Sequence, residues 1–423
     1  MKSKAVQIII VLVFALLVSG AAVAGVKPAV KPGQNGASQE DADVPGQADA
    51  DTPGQEDDDT SGLSDADGPE KMPADDALAM ISPEAYRSAE DLDVGEGAFV
   101  SILMREDSSA YAKDFIKGAE RACDEINELM GYGGKDRIRV TCSAPAKANS
   151  ISGQSAILDE ELALYPDVIA ASIVDAKACE VQFDIAMDNG IYIVGFDSSP
   201  GYSHVAATVE TDNRKAGRDA ADRLYAAMKD KGSKGPVLIV ANNTTSTNLR
   251  KRISAFKKRI KSKYPKVKIA GRCSLKNLDR MRDKIANYYA KDDDPRNDIL
   301  PDEVTGEDMI RYFLDRHPKV RGFYMADEES ALKVLTVLAA RKARNNSDAE
   351  KGIGRRKPEL SAVAFGSTGK LGPYLADGAL DSYIEENAYG MGYATAIACL
   401  RIAAGKGNAD RIETGYKVFP EQE

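Results

Sequence analysis

The sequence predicts an α/β protein built as two doubly wound parallel-sheet lobes with a cleft between them. Three observations carry that expectation. Short apolar runs without polar alternation recur after residue 98, as in parallel strands covered on both faces. Stretches with helical spacing separate them. The strand–helix sets also fall into two comparable groups, residues 98–211 and 212–386.

In chain order, Lys2 and Lys4 precede an uncharged run, Val6 to Ala24, which closes on Ala22-Val23-Ala24. A basic start, an apolar middle and a small-x-small end form an export signal. Two readings stay open for residues 1–24. Cut after Ala24, they are a signal peptide. Retained, the run spans about 28 Å at about 1.5 Å per residue, enough for an N-terminal membrane anchor. Leu17-Val18-Ser19-Gly20 is not followed by cysteine, so a lipid-modified N-terminus is not expected.

Residues 25–94 read as a disordered acidic linker. Pro-Gly-Gln recurs at Pro32, Pro45 and Pro53, and Glu40 to Asp76 holds 14 acids against one base, Lys71. Such a segment has too little apolar surface to offset chain entropy, and its like charges extend it. From Gly95 onward, 50 bases face 48 acids, so the net charge of −10 belongs to the linker. A balanced remainder offers no basic field for nucleic acid.

The strand candidates are Phe99–Met104, Ile138–Cys142, Val168–Ile173, Ile191–Phe196, Val237–Ala241, Val267–Ala270, Val320–Met325 and Leu360–Phe365. The first helix shows Phe115, Ala119, Ala122, Ile126 and Leu129 three or four apart and stops at Gly131. Two polar stretches, Lys291–Gly306 and Asn345–Lys357, read as inserted surface loops. Five cysteines include no C-x-x-C pair and read as small buried residues. Only His204 and His317 are available as imidazoles, so neither a zinc site nor a histidine triad is expected. No G-x-S-x-G, G-x-G-x-x-G, Walker A or H-E-x-x-H motif occurs, and no metal or cofactor is expected.

Several ordered signatures then carry a resemblance. They include Ser109-Ala110-Tyr111 before Phe115-Ile116-Lys117-Gly118-Ala119, and Ile191-Tyr192-Ile193-Val194-Gly195-Phe196-Asp197. Thr211-Asp212-Asn213 with Ala216-Gly217 follow, then Arg250, Arg252 and Phe256, and His317-Pro318 with Asp327-Glu328. Val363-Ala364-Phe365-Gly366 and Asp377-Gly378-Ala379-Leu380 close the series. In this order, residues 98–423 resemble the type I periplasmic binding proteins of the ribose and galactose type, which share their core with LacI-type repressors. The resemblance implies two lobes joined by a hinge, a first lobe of about 98–211 plus 387–405, and a second of about 212–386 plus 406–423.

It also implies a ligand set at strand ends: Ser109, Tyr111, Asp197, Ser198, Arg250, Asp327, Ser367 and Glu386. Tyr111 stands where these receptors place a ring against a sugar's C–H face; a core tyrosine at a helix start is the alternative. Asp197 matches a carboxylate that accepts from two hydroxyls, or else caps a turn. Arg250 matches a second-lobe arginine, or else belongs to a solvated basic face. Departures accompany the match. Ser198 stands where sugar receptors often carry arginine, Ala326 precedes Asp327 in place of asparagine, Ser367 ends a Phe-Asp-Gly analogue, and Glu386 replaces glutamine. Each unmade hydrogen bond in a dry cleft costs about 1–3 kcal/mol, so a ribose-type ligand is expected to fit poorly. Glu386 suits a hydroxyl-rich or cationic ligand.

The expected function is an exported, non-enzymatic receptor, monomeric, in the periplasm or at the cell surface. It closes on a small polar ligand, foremost a carbohydrate, for an ABC-type permease. A sensor module for a membrane kinase or chemoreceptor is the alternative, and an exported enzyme stands further off. A DNA-binding regulator would need a helix-turn-helix that residues 25–94 do not supply.

Overall fold

The computed structural model describes residues 72–175, 177–290, 296, 298–350 and 359–421. The segment read as an export signal and most of the one read as an acidic linker lie outside the described residues. Twelve strands are present among them: β1 (Phe99–Leu103), β2 (Arg139–Ser143), β3 (Val168–Ala171), β4 (Tyr192–Phe196), β5 (Val205–Glu210), β6 (Val237–Ala241), β7 (Ile269–Ser274), β8 (Gly322–Met325), β9 (Ser361–Phe365), β10 (Ser382–Glu386), β11 (Arg411–Glu413) and β12 (Tyr416–Phe419).

They form two six-stranded sheets, ordered β11-β5-β4-β3-β1-β2 and β12-β10-β9-β8-β6-β7. Every pairing is parallel except β12 on β10. The expected pair of doubly wound lobes is therefore present. Each lobe begins on an interior strand, winds outward, then reverses. The reversals fall between β1 and β3 and between β6 and β8, where the carboxyl ends of open parallel sheets leave a crevice.

The helices are α1 (Ala74–Ala79), α2 (Ala110–Met130), α3 (Ile151–Ala163), α4 (Glu180–Asp188), α5 (Asn213–Asp230), α6 (Thr247–Lys263), α7 (Leu278–Tyr289), α8 (Gly306–Arg316), α9 (Glu328–Glu350), α10 (Thr368–Ala376) and α11 (Ala388–Ala403). The spacing read from the sequence holds in α2, which buries Phe115, Ala119, Ala122 and Ile126 and stops at Gly131 with a φ of 68°. Leu129, the last of that stripe, is instead exposed, because the helix runs past the edge of the core. Helix α11 lies directly against α2. A Cβ at Gly118 would meet the Tyr389 carbonyl at 2.0 Å, and one at Gly392 the Phe115 carbonyl at 1.9 Å. Only glycine permits that approach.

Four expectations need correction. The linker does not reach residue 94: Ala77, Ile81, Tyr86, Ala89, Leu92 and Val94 are buried in the first-lobe core. The negative charge around them hid a sparse apolar set that has a partner only in the folded chain. Asn345–Lys357 is not wholly a loop, since α9 continues to Glu350. The run at Val267–Ala270 shifts to Ile269–Ser274. The last boundary also moves. Residues 411–413 form β11 in the first-lobe sheet, and only β12 returns to the second lobe. The cysteines are free: Cys123, Cys179, Cys273 and Cys399 are buried, and Cys142 is partly so.

The chain crosses between lobes near Thr211, Asn387 and Thr414, all buried. Asn387 ties these crossings to the docked N-terminal segment. Its amide donates to the carbonyls of Ala77 and Thr414, both at 2.7 Å, and its Oδ1 accepts from Gly390 N–H at 2.9 Å. Ser82 pairs with Glu413 as a short antiparallel bridge.

Residues 72–94 are thus part of the folded unit. Tyr86 is 2% exposed, donates to Asn408 Oδ1 at 3.1 Å and accepts from Ala409 N–H at 2.7 Å. Tyr86→Ala is expected to lower unfolding free energy by about 3 kcal/mol, read by urea denaturation. A chain begun at residue 95 is expected to unfold at lower urea than one begun at residue 72; equal midpoints would contradict the docking.

Candidate functional site

A cavity of about 410 Å³ lies between the lobes, at both topological reversals. Its first-lobe wall comes from the segment after β1 (Arg105, Glu106, Ser109, Tyr111), from Ser172 after β3 and from Asp197 after β4. Its second-lobe wall comes from Asn242 after β6, Asn248 and Arg252 on α6, Asp327 after β8, Ser367 after β9 and Glu386 at the end of β10. Strand ends supply most of both walls because side chains there leave the hydrogen-bonded sheet and face the crevice.

Asp197 organises the first wall. Its backbone sits at φ 45°, a left-handed conformation that aspartate tolerates better than most residues. The carboxylate accepts from Arg105 Nη2 at 2.6 Å, Asn248 Nδ2 at 2.6 Å and Ser172 Oγ at 3.4 Å. Arg105 belongs to the first lobe and Asn248 to the second, so one carboxylate joins a wall to its opposite. Ser198 adds a second link. It is buried outside the cavity, and its Oγ accepts from Thr247 N–H at 3.3 Å.

Arg252 organises the second wall. It is 2% exposed and stands with Leu249, Ile253, Phe256 and Ile260 on the inner face of α6. Its Nε and Nη2 donate to Asn213 Oδ1 at 3.0 and 2.7 Å, and its Nη1 donates to the Ala326 carbonyl at 2.9 Å. Nη2 is also 2.7 Å from Glu386 Oε1, an ion pair set at an angle that leaves this oxygen without a hydrogen bond. The guanidinium lies 3.8 Å from the Phe365 ring centroid. Although burial opposes its charge, Glu386 and its other anionic neighbours hold the Arg252 pKa above its ordinary value.

The remaining sequence-derived residues divide clearly. Tyr111 lines the cavity and donates to Met391 Sδ at 3.0 Å; burial, then Asp197 and Glu386, pushes its phenol well above the usual range. Ser109 lines it too, but its Oγ accepts from Ala112 N–H as the cap of α2 and donates to Glu106 Oε1 at 2.6 Å. Asp327 accepts from the N–H groups of Asn242 and Ser330 at 2.8 and 2.9 Å, and burial raises its pKa. Ser367 donates both N–H and Oγ to Glu328 Oε2, at 2.7 and 2.5 Å. Glu386 faces Arg252. Arg250 does not reach the cavity: it is exposed and donates to Thr247 Oγ1 at 3.4 Å.

The arginine that lines the cavity therefore stands at position 252 and not at position 250. The helical phase held that signal, since 252 falls in the buried series 249, 253, 256 and 260 and 250 does not. Arg105, Ser172 and Asn248 were missed as well. Nothing in the local pattern of Arg105 and Ser172 separates them from surface polar residues, whereas Asn248, one turn before Arg252, shares its buried phase; only the sheet reversal and the approach of α6 bring the three to Asp197.

A family model described as periplasmic binding protein domain matches residues 100–407. Among curated proteins, none matches this chain. Among solved structures, the chain is similar to a carbohydrate transporter solute-binding protein from Agrobacterium radiobacter in complex with D-arabinose. The identity is 22% and the TM-score 0.57, covering 76% of this chain and 93% of that one. A glucose–galactose binding protein from Geobacillus stearothermophilus is 20% identical, with a TM-score of 0.57 over 77% and 97% of the two chains. A periplasmic component of a sugar transport system from Hahella chejuensis is 18% identical, with a TM-score of 0.58 over 76% and 100%. At these identities the likeness establishes a shared fold.

Two substitutions separate the roles of the neighbouring arginines. Arg252→Ala is expected to cost about 3–5 kcal/mol, because it leaves the partly buried Glu386 carboxylate without its partner. Arg250→Ala is expected to change stability by less than about 0.5 kcal/mol. Urea unfolding of both variants reads the difference, and equal effects would contradict it.

Proposed function

This chain belongs to the family of periplasmic binding protein domains, and we propose that it is an exported solute receptor that closes on a small, polar, hydroxyl-rich ligand. A carbohydrate or polyol fits that description, and an ABC-type permease is the partner to which the ligand passes. The observation that carries this reading is the cavity at the two sheet reversals, with Asp197 and Arg252 buried on its opposite walls.

The chemistry of the walls supports it. A carboxylate and a guanidinium, here Asp197 and the Arg105 beside it, grip vicinal hydroxyls in complementary ways, the first accepting and the second donating. The Tyr111 ring lines the same cavity and offers an apolar face to sugar C–H groups. Ligand groups bridging the walls would add to the Asn248–Asp197 contact, so binding favours the closed arrangement by its differential contacts. Export follows from the signal-like first 24 residues and agrees with the periplasmic transport components that share the fold.

A thermal-shift series on the purified chain tests the reading against monosaccharides, disaccharides, polyols and amino acids. A ligand that binds only the folded protein raises Tm by mass action. At least one sugar or polyol is expected to do so at millimolar concentration, and a flat series would overturn the proposal. Asp197→Asn keeps the side-chain shape and is expected to weaken the responding ligand about 10–100-fold, measured by calorimetry.

A further inference from the structure

The cavity's charge and its stock of hydrogen-bond donors deepen the receptor reading, on which this inference rests. Eight carboxylates line it, from Glu106, Asp114, Asp197, Asp327, Glu328, Glu329, Glu385 and Glu386, against the three bases Arg105, Arg252 and Lys370. Each of the three bases is already engaged by one of the acids. Arg105 pairs with Asp197 at 2.6 Å, Arg252 with Glu386 at 2.7 Å and Lys370 with Glu328 at 3.1 Å.

The second-lobe pair Asp327 and Glu329 has no base at ion-pair distance among the described residues. Asp327 is held by two backbone N–H groups, and Glu329 accepts from Asn242 Nδ2 at 2.5 Å. Burial and the neighbouring Asp327 raise the pKa of Glu329 against the opposing pull of Lys333. Across the cavity, Glu106 accepts from Ser108 and Ser109 among the described residues, and these bonds lower its pKa against burial. Glu329 is exposed here, so closing the lobes on a neutral ligand would take its carboxylate out of water with only the Asn242 amide to offset its charge.

The donor count points the same way. A hydroxyl that donates to a carboxylate also presents an oxygen that needs a donor in return. Three of the second-wall donors are engaged within the protein: Arg252 on Asn213 and Ala326, Asn248 on Asp197, Asn242 on Glu329. An ammonium group brings three donors and no acceptor. It answers the charge excess and asks nothing of the donors that the second wall has already engaged.

We propose that the ligand is a cationic, hydroxyl-bearing solute of the amino-sugar class, with its ammonium seated at Asp327 and Glu329. The hydroxyls then face Asp197 and Arg105 on the opposite wall. The acidic pair selects an amine over the parent sugar in the way a complementary charge selects its partner.

Calorimetry on the full chain at pH 6 tests this with glucosamine, galactosamine and mannosamine beside their parent sugars and their uncharged N-acetyl derivatives. The amine of at least one series is expected to bind about tenfold tighter than its parent. That advantage is expected to shrink between roughly 20 and 500 mM salt and to vanish in Glu329→Gln, whose melting temperature serves as the fold control. Should Glu329→Gln disturb folding, Asp327→Asn gives the same comparison. Equal or tighter binding of a neutral parent would overturn the amine assignment while leaving the carbohydrate receptor intact. An amine preference that survives both variants would overturn the assigned seat. Binding by neither class would remove the carbohydrate reading and this inference with it.

Discussion

Arg252 is the contact on which the rest of the site depends. A buried guanidinium is tolerable only when every face finds a partner, because the desolvation of an unpaired charge far exceeds any packing gain. Here the partners come from four places: Asn213 just beyond the first crossing, Ala326 after β8, Glu386 at the second crossing and the Phe365 ring. Satisfying one side chain thus fixes the relative positions of α6, two crossings and two strand ends. The second wall of the cavity is a by-product of that requirement.

The fold was readable from the sequence because its cause is repetitive. Buried parallel strands must be apolar on both faces, so β1, β3, β4, β6, β8 and β9 stand out as short unbroken runs. The strands that did not stand out are explained by their surroundings. β5 and β10 end in polar residues that face the crossings, and β11 and β12 are short edge strands with mixed exposure. The docked segment at 72–94 was concealed by composition. Its apolar residues are too few to mark a core and suffice only because α11 and the first-lobe sheet complete the packing.

The site was readable by position more than by role. Ser109 and Ser367 lie where a strand ends and a helix begins, and each spends its oxygen on the local backbone or on a neighbouring glutamate. A polar residue at such a junction answers orphan N–H groups before it answers a ligand. Arg105 carries no local mark, and Asp197, the partner it shares with the cleft-bridging Asn248, is distant in sequence and meets both only through the wound sheets.

The threefold crossing has a mechanical consequence. Two covalent links leave one body free to swing and also to twist against another. A third, placed by the jump of the chain from β11 to β12, removes most of the twisting. The lobes then retain chiefly one soft degree of freedom, a bend about the line of crossings. Because Ser82 and Asn387 tether the N-terminal segment to that line, a pull transmitted through the preceding chain would arrive at the bending axis itself, where leverage on the opening of the cleft is smallest.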